Sequence, residues 1–208
     1  MSDVLVFGGS PGSVGAYIAA RLPGCVRLSR STVPGVDVLS SESVQEAIER
    51  ERPHTIISAA MVYPDPVEKE LGSITGWGSI HLLLDTKIQG AYHIVDAAVS
   101  LSVKRVILLA GTAISKDPRL CHFTIVNGAL WSLACFANEH TSLDVYYLEM
   151  GLISPGRTCN HYLKSLNEHD RGSAIASAIT PDDVVAKIRD IVNGTCPRGR
   201  IVLNKDNV

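Results

Sequence analysis

The segment VLVFGGSPGSVGAYIAARL constrains this chain more than any other. An apolar run from Val4 to Phe7 breaks into a loop carrying Gly8, Gly9, Gly12 and Gly15, then resumes as an amphipathic helical pattern. A strand that turns through glycines into a helix makes separate physical demands. One glycine permits the tight turn, another lets the backbone approach a pyrophosphate, and a third allows close helix–strand contact. The free N–H groups and positive dipole end of the helix then face the phosphates. The spacing over Gly9, Gly12 and Gly15 is G-x-x-G-x-x-G rather than G-x-G-x-x-G. Its place after a first strand and at a helix opening predicts a dinucleotide-binding loop, with Ser10, Ser13 and Val14 inside it.

Strand and helix patterns alternate to the end of the chain. After the first helix, Cys25 to Ser29 reads as a second strand, Gly35 to Val38 as a short third, and Ser43 to Glu51 as a helix with Ser43 and Glu46 at capping-box spacing. Thr55 to Ala60, Arg105 to Ala110, Leu143 to Leu148 and Arg200 to Leu203 read as further strands. Between them Ile80 to Leu101, Phe123 to Glu139 and Asp182 to Asn193 read as helices. Continuous apolar strands separated by helices predict an α/β fold with a doubly wound parallel sheet of about seven strands and helices on both faces. Met61 to Ser79 and Ser154 to Ala174 are the longest irregular stretches, and both follow strands at their carboxyl ends, where open α/β sheets hold ligands.

Composition narrows the reading. A chain of 208 residues, 46% hydrophobic and 19% charged, can bury one sizeable core, so a single domain over 1–208 is expected. The net charge is −2 and the basic residues are scattered, which argues against nucleic acid and against a membrane surface as partners. The first residues lack a basic start and cleavage site, and no apolar run reaches spanning length, so a cytoplasmic location is expected. Five cysteines without C-x-x-C spacing fit reduced thiols in packing roles. Cys159, His161 and His169 match no familiar zinc spacing, and no metal is expected.

From residue 3 to about residue 204 the chain resembles the short-chain dehydrogenases/reductases, through FGGSPGSVG, VDV, SAA, DTKIQGAYHIVDAA, RVILLAGTAIS and NGALWSLACFANE. The resemblance implies a Rossmann-like fold. It implies that Asp37 and Val38 flank an adenine, that Ala59 and Ala60 lie against a ribose, and that Gly151 touches the nicotinamide region, with Met150 where the family has proline. Ser58 stands where the family has Asn. Cofactor choice follows from charge: an acidic residue ending the second strand suits NAD, whereas an Arg suits the 2′-phosphate of NADP. Arg27-Leu28-Ser29-Arg30-Ser31 has no carboxylate, which puts NADP(H) ahead of NAD(H), unless Arg30 is only a solvated loop residue.

The catalytic segment departs from the family pattern. Members carry Tyr-x-x-x-Lys, the lysine lowering the tyrosine pKa and holding the ribose. Alignment on Asn127-Gly128-Ala129-Leu130 puts Phe123 at the tyrosine position and Asn127 at the lysine position. Thr112, or Ser115 in a shifted register, falls at the family's active-site hydroxyl. Lys87 stands where the family often has Asn, three residues before Gly90, so Lys and Asn are exchanged between two helices. Lys87 then faces the space beside Asn127, or is a solvated helix lysine near Asp85. His122, Tyr63, His161 and Tyr162 are candidate replacement acids, each with an ordinary packing role as the alternative.

Three functions are compatible with these residues. The first is an atypical NADPH-dependent reductase of a small carbonyl or enone, with Thr112, Lys87, His122 and Asn127 as the catalytic set. The second is a non-redox isomerase, dehydratase or cyclase on the same fold. The third is a catalytically silent nucleotide-binding regulator. A small-molecule substrate is the expected partner, and assembly into a homo-oligomer stays open.

Overall fold

Short apolar runs bounded by turn residues satisfy their backbone groups in a ladder covered on both faces. In the computed structural model, residues 3–61, 81, 83–111, 121–155, 163 and 167–207 are described, with backbone alone at 121 and 122. Their strands form one parallel sheet. The elements are β1 (Val4–Phe7), α1 (Val14–Arg21), β2 (Cys25–Leu28), α2 (Ser41–Glu51) and β3 (Thr55–Ser58), then a π-helical turn (Leu84–Gln89) running into α3 (Gly90–Ser100). They continue as β4 (Arg105–Gly111), α4 (Cys121–His140), β5 (Asp144–Met150), α5 (Glu168–Ala176), α6 (Pro181–Val192) and β6 (Gly199–Leu203).

The strand order is β2-β1-β3-β4-β5-β6, so the chain winds outward to β2 and then reverses across β1 to β3. Phe7 is in register with both Leu28 and Ser58, which sets the carboxyl ends of these three strands side by side. Alternation of side chains sorts the core into two layers. Leu5, Phe7, Ile56, Val106, Leu108 and Tyr147 pack with Val44, Ile48, Ile94 and Leu130 of α2, α3 and α4. Val4, Val6, Ile57, Ile107, Leu109 and Leu148 pack on the other face with Ile18 of α1 and with Val184, Ile188 and Ile191 of α6. Helices therefore cover both faces, as a doubly wound sheet requires.

Several local expectations are corrected. Among the described residues the sheet has six strands, not seven, because Gly35 to Val38 is irregular. Val36 and Val38 are buried, but in loop backbone: the Val36 N–H bonds Ser29 O at 3.0 Å, and Asp37 Oδ1 accepts the Leu39 N–H at 3.1 Å. The alternation came from burial without a ladder. The cap of α2 is Ser40, which accepts the Ser43 N–H, while the Ser43 hydroxyl is engaged by the Asp37 N–H. The true capping box is Thr180 with Asp183, at the start of α6. Ser154 to Ala174, read as irregular, contains most of α5. The expected helix from Ile80 to Leu101 is interrupted by the π-turn at Leu84–Gln89, and Ile80 itself lies outside the described residues.

Two glycines hold α1 against the sheet. A Cβ on Gly8, at φ +88°, would lie 2.5 Å from Ala60 Cα, and one on Gly15 would lie 2.6 Å from Gly8 O. Backbone atoms cannot swing aside as a side-chain tip can. Gly15→Ala is therefore expected to destabilise the fold by about 1–3 kcal/mol through overpacking, read as a lower urea midpoint at unchanged slope.

Candidate functional site

The reversal between β1 and β3 opens a crevice at the carboxyl edge of the sheet, and a cleft of about 780 Å³ occupies it. Its floor is the glycine loop. The Gly8 N–H bonds Leu28 O at 2.9 Å, tying the loop to β2, and Ser13 caps α1 by accepting the Ala16 N–H at 3.2 Å. Gly12 sits at φ +79°, in the left-handed region, and a Cβ there would meet nothing within 4 Å. Its backbone borders the cleft with no side chain in the way.

One end of the cleft is shaped by the turn after β2. Thr32 Oγ1 accepts the Ser29 N–H at 2.9 Å and donates to Ser29 O at 2.7 Å, which closes the turn around Arg30 and Ser31. Arg30 is exposed and lines the mouth of the cleft. Beside it stand Asp37 and Val38, the latter held by His93, whose Nδ1–H donates to Val38 O at 2.9 Å. Ala59, Ala60 and Met61 continue the wall from the end of β3.

The other end holds the exchanged pair. In the π-turn the Gly90 N–H bonds Asp85 O, five residues back. Such turns are frequent at functional sites. Here Thr86 and Lys87 are both buried while Asp85 faces out. Lys87 is 8% exposed, lines the cleft, and donates from Nζ to Asn127 Oδ1 at 3.3 Å. Asn127 is 4% exposed and donates from Nδ2 to Gly111 O, the last carbonyl of β4. That second bond orients the amide, because its nitrogen must meet the carbonyl and its oxygen is left for the ammonium. Lys87 is thus no solvated helix lysine. Burial lowers its pKa from the ordinary lysine value to about 8, and no described carboxylate pairs with it.

All the sequence-selected loop and wall residues line this one cleft: Gly9, Ser10, Gly12, Ser13, Val14, Gly15, Arg30, Asp37, Val38, Ala59, Ala60 and Gly151. Lys87, Asn127 and Phe123 join them at the inner end. Thr112, Ser115, Tyr63, Cys159, His161 and Tyr162 lie outside the described residues, as does the side chain of His122. Sequence reasoning missed Met61, Thr86, Leu152 and Ile153, which also line the cleft. Thr86 adjoins Lys87 in sequence, and its turning inward is a product of the π-turn.

No family model and no curated protein sequence matches the chain. Solved structures share its fold. ElxO with NADP bound superposes with a TM-score of 0.74 at 16% identity, over 98% of this chain and 97% of that one. The protein lin1944 from Listeria innocua gives 0.73 at 16%, over 97% and 99%. The dTDP-4-dehydrorhamnose reductase from Bacillus anthracis str. Ames, in complex with NADP, gives 0.65 at 13%, over 98% and 75%. At these identities the likeness is one of fold, and the Rossmann-like fold implied by the sequence resemblance is the fold found.

The lowered pKa of Lys87 makes stability depend on pH. In the unfolded chain the lysine stays protonated to near its ordinary value of 10.5, whereas in the fold it loses its proton above about 8. Between these values the unfolded state binds more protons, so the Lys87 contribution to stability rises with pH; below about 8 the buried charge is a standing penalty. Lys87→Met should be as stable as the parent or more so at neutral pH, with the difference shrinking toward pH 10.5. Urea midpoints of both proteins across that range provide the check.

Proposed function

We propose that the chain is an NADP(H)-binding protein of the short-chain dehydrogenase/reductase type that reduces a small carbonyl or enone compound. The observation that carries this is the glycine loop at the crevice, whose Gly12 leaves backbone facing open space where a Cβ would otherwise project. The residues fit a dinucleotide. Gly9, Ser10, Gly12, Ser13, Val14 and Gly15 would hold the pyrophosphate at the N-terminus of α1. Asp37 and Val38 would flank the adenine, Ala59 and Ala60 the ribose, and Gly151 the nicotinamide end. Arg30, exposed at the mouth beside Ser29 and Ser31, suits a 2′-phosphate, and the turn after β2 carries no carboxylate to favour a free ribose hydroxyl. Bound NADPH supplies a hydride. NADP is also the cofactor present in the ElxO and dTDP-4-dehydrorhamnose reductase structures that share this fold.

What the chain itself must add is a proton and a means of orienting the ligand. Phe123 has no proton to give and Asn127 no charge to bias a neighbour. The active-site set is Lys87, Thr112 and His122, with Asn127 aiming Lys87. A second reading, a nucleotide-binding protein without hydride transfer, is favoured by Phe123, which lines the cleft where the family's acid would stand.

Binding and turnover separate these readings. Titration should show NADPH bound more tightly than NADH. Arg30→Ala should weaken NADPH by about 1.5–3 kcal/mol, the range for a hydrogen bond to a charged group, and leave NADH nearly unchanged. Gly12→Asp should weaken both through repulsion of the phosphates, and because φ +79° strains any side chain there, the comparison is made on protein whose urea midpoint shows it folded. Failure of the parent protein to bind either nucleotide at millimolar concentration overturns the cofactor reading. Binding without loss of the NADPH 340 nm absorbance across a panel of small carbonyls and enones selects the second reading.

A further inference from the structure

Lys87 is a buried cation whose described partner is neutral. Its Nζ meets Asn127 Oδ1 at 3.3 Å, and the Asn127 amide is itself spent on Gly111 O, so the pair is held in place with no opposite charge on it among the described residues. The other charged or titratable residues described along the cleft are Tyr17, Arg21, Arg30 and Asp37, and none is hydrogen-bonded to or ion-paired with Lys87. Asp85, on the same turn, is exposed, and His93 of α3 is engaged by Val38 O. A desolvated ammonium is costly unless an opposite charge completes it. Two of its three N–H donors have no described acceptor. Around this end of the cleft stand Phe123, Leu109, Met150 and Leu152, which offer an apolar wall.

We propose that the cleft takes a small organic carboxylate with an apolar body, its carboxylate seated on Lys87 and its body against Phe123 and Met150. The inference deepens the reading above and rests on it for the reaction: the carbonyl compound becomes an oxo acid. A ribose hydroxyl is the competing occupant, but it is neutral and leaves the buried charge as it was. A carboxylate supplies the missing charge and two acceptor oxygens for the free N–H groups. Asn127 is a positioning residue, since it acts on the ligand only by aiming Lys87. Seating an anion beside Lys87 raises its proton affinity, so binding draws a proton from solvent wherever the free lysine is neutral.

Calorimetric titration with butyrate, in paired buffers of different ionisation enthalpy, reads both affinity and proton uptake. The parent protein should bind butyrate with almost no proton uptake near pH 6.5 and with uptake rising toward one proton near pH 9, about a unit above the lysine pKa. Butan-2-one, which also has four carbons but no charge, should bind at least tenfold more weakly. Lys87→Met and Lys87→Gln should each lose butyrate affinity at least tenfold near pH 6.5. Asn127→Ala should shift the pH at which uptake begins, which loss of packing alone does not do. The proposal is overturned if the parent takes up no proton near pH 9, if butan-2-one binds as well as butyrate, or if a folded Lys87 variant keeps its affinity. Repetition with saturating NADPH tests the ribose: butyrate excluded by the nucleotide overturns the proposal, and butyrate retained supports it. A protein that binds butyrate in this way but binds no NADPH would sink the cofactor reading alone.

Discussion

β1 hydrogen-bonds to β2 along one edge and to β3 along the other, and the place of the glycine loop follows from that double pairing. Because Phe7 is level with both Leu28 and Ser58, the loops that leave these strands start at one height and must part in different directions. The loop after β1 can stay in the gap only if it has almost no side chains. Gly8 lies against the backbone of Ala59 and Ala60, and Gly15 lies against Gly8, so α1 begins within van der Waals reach of the end of β3. Gly12, whose Cβ would meet nothing, is the one that borders open space. The same residue type thus does opposite things three residues apart: it closes a contact at Gly15 and keeps one open at Gly12.

The inner end of the cleft depends on a second tie, the chain of contacts from Lys87 through Asn127 to Gly111 O. It joins the π-turn, α4 and the end of β4. An ammonium at this depth lowers the stability of the neutral-pH fold. Its place in a cleft is better explained by what it meets there than by what it does for folding. Phe123 and Asn127 line the cleft from α4, and Lys87 reaches it from the π-turn after β3.

The main strands and helices were legible because burial on both sheet faces forces unbroken apolar runs, and because the glycine loop can do little else after a strand. Where legibility failed, the cause was local. Val36 and Val38 alternate as strand residues do, yet they are buried in a loop whose hydrogen bonds run to Ser29 and not to a neighbouring strand. Ser40, Ser41 and Ser43 are all good caps, and the choice of Ser40 was made by Asp37, whose N–H engages the Ser43 hydroxyl. The inward turn of Thr86 beside Lys87 depends on a single backbone slip from α to π bonding, which no residue pattern records.

By itself the sequence determined the sheet class, the glycine loop and the set of residues at the carboxyl edge. These are properties of spacing and residue type, which local physics reads directly. Tertiary structure decided which glycine closes a contact and which borders open space, and whether Lys87 is solvated or buried. Those outcomes depend on how near two backbones come across the sheet and on how far a charge sits from water. Both distances are set by packing between segments far apart in the chain, as Lys87 and Asn127 are at forty residues.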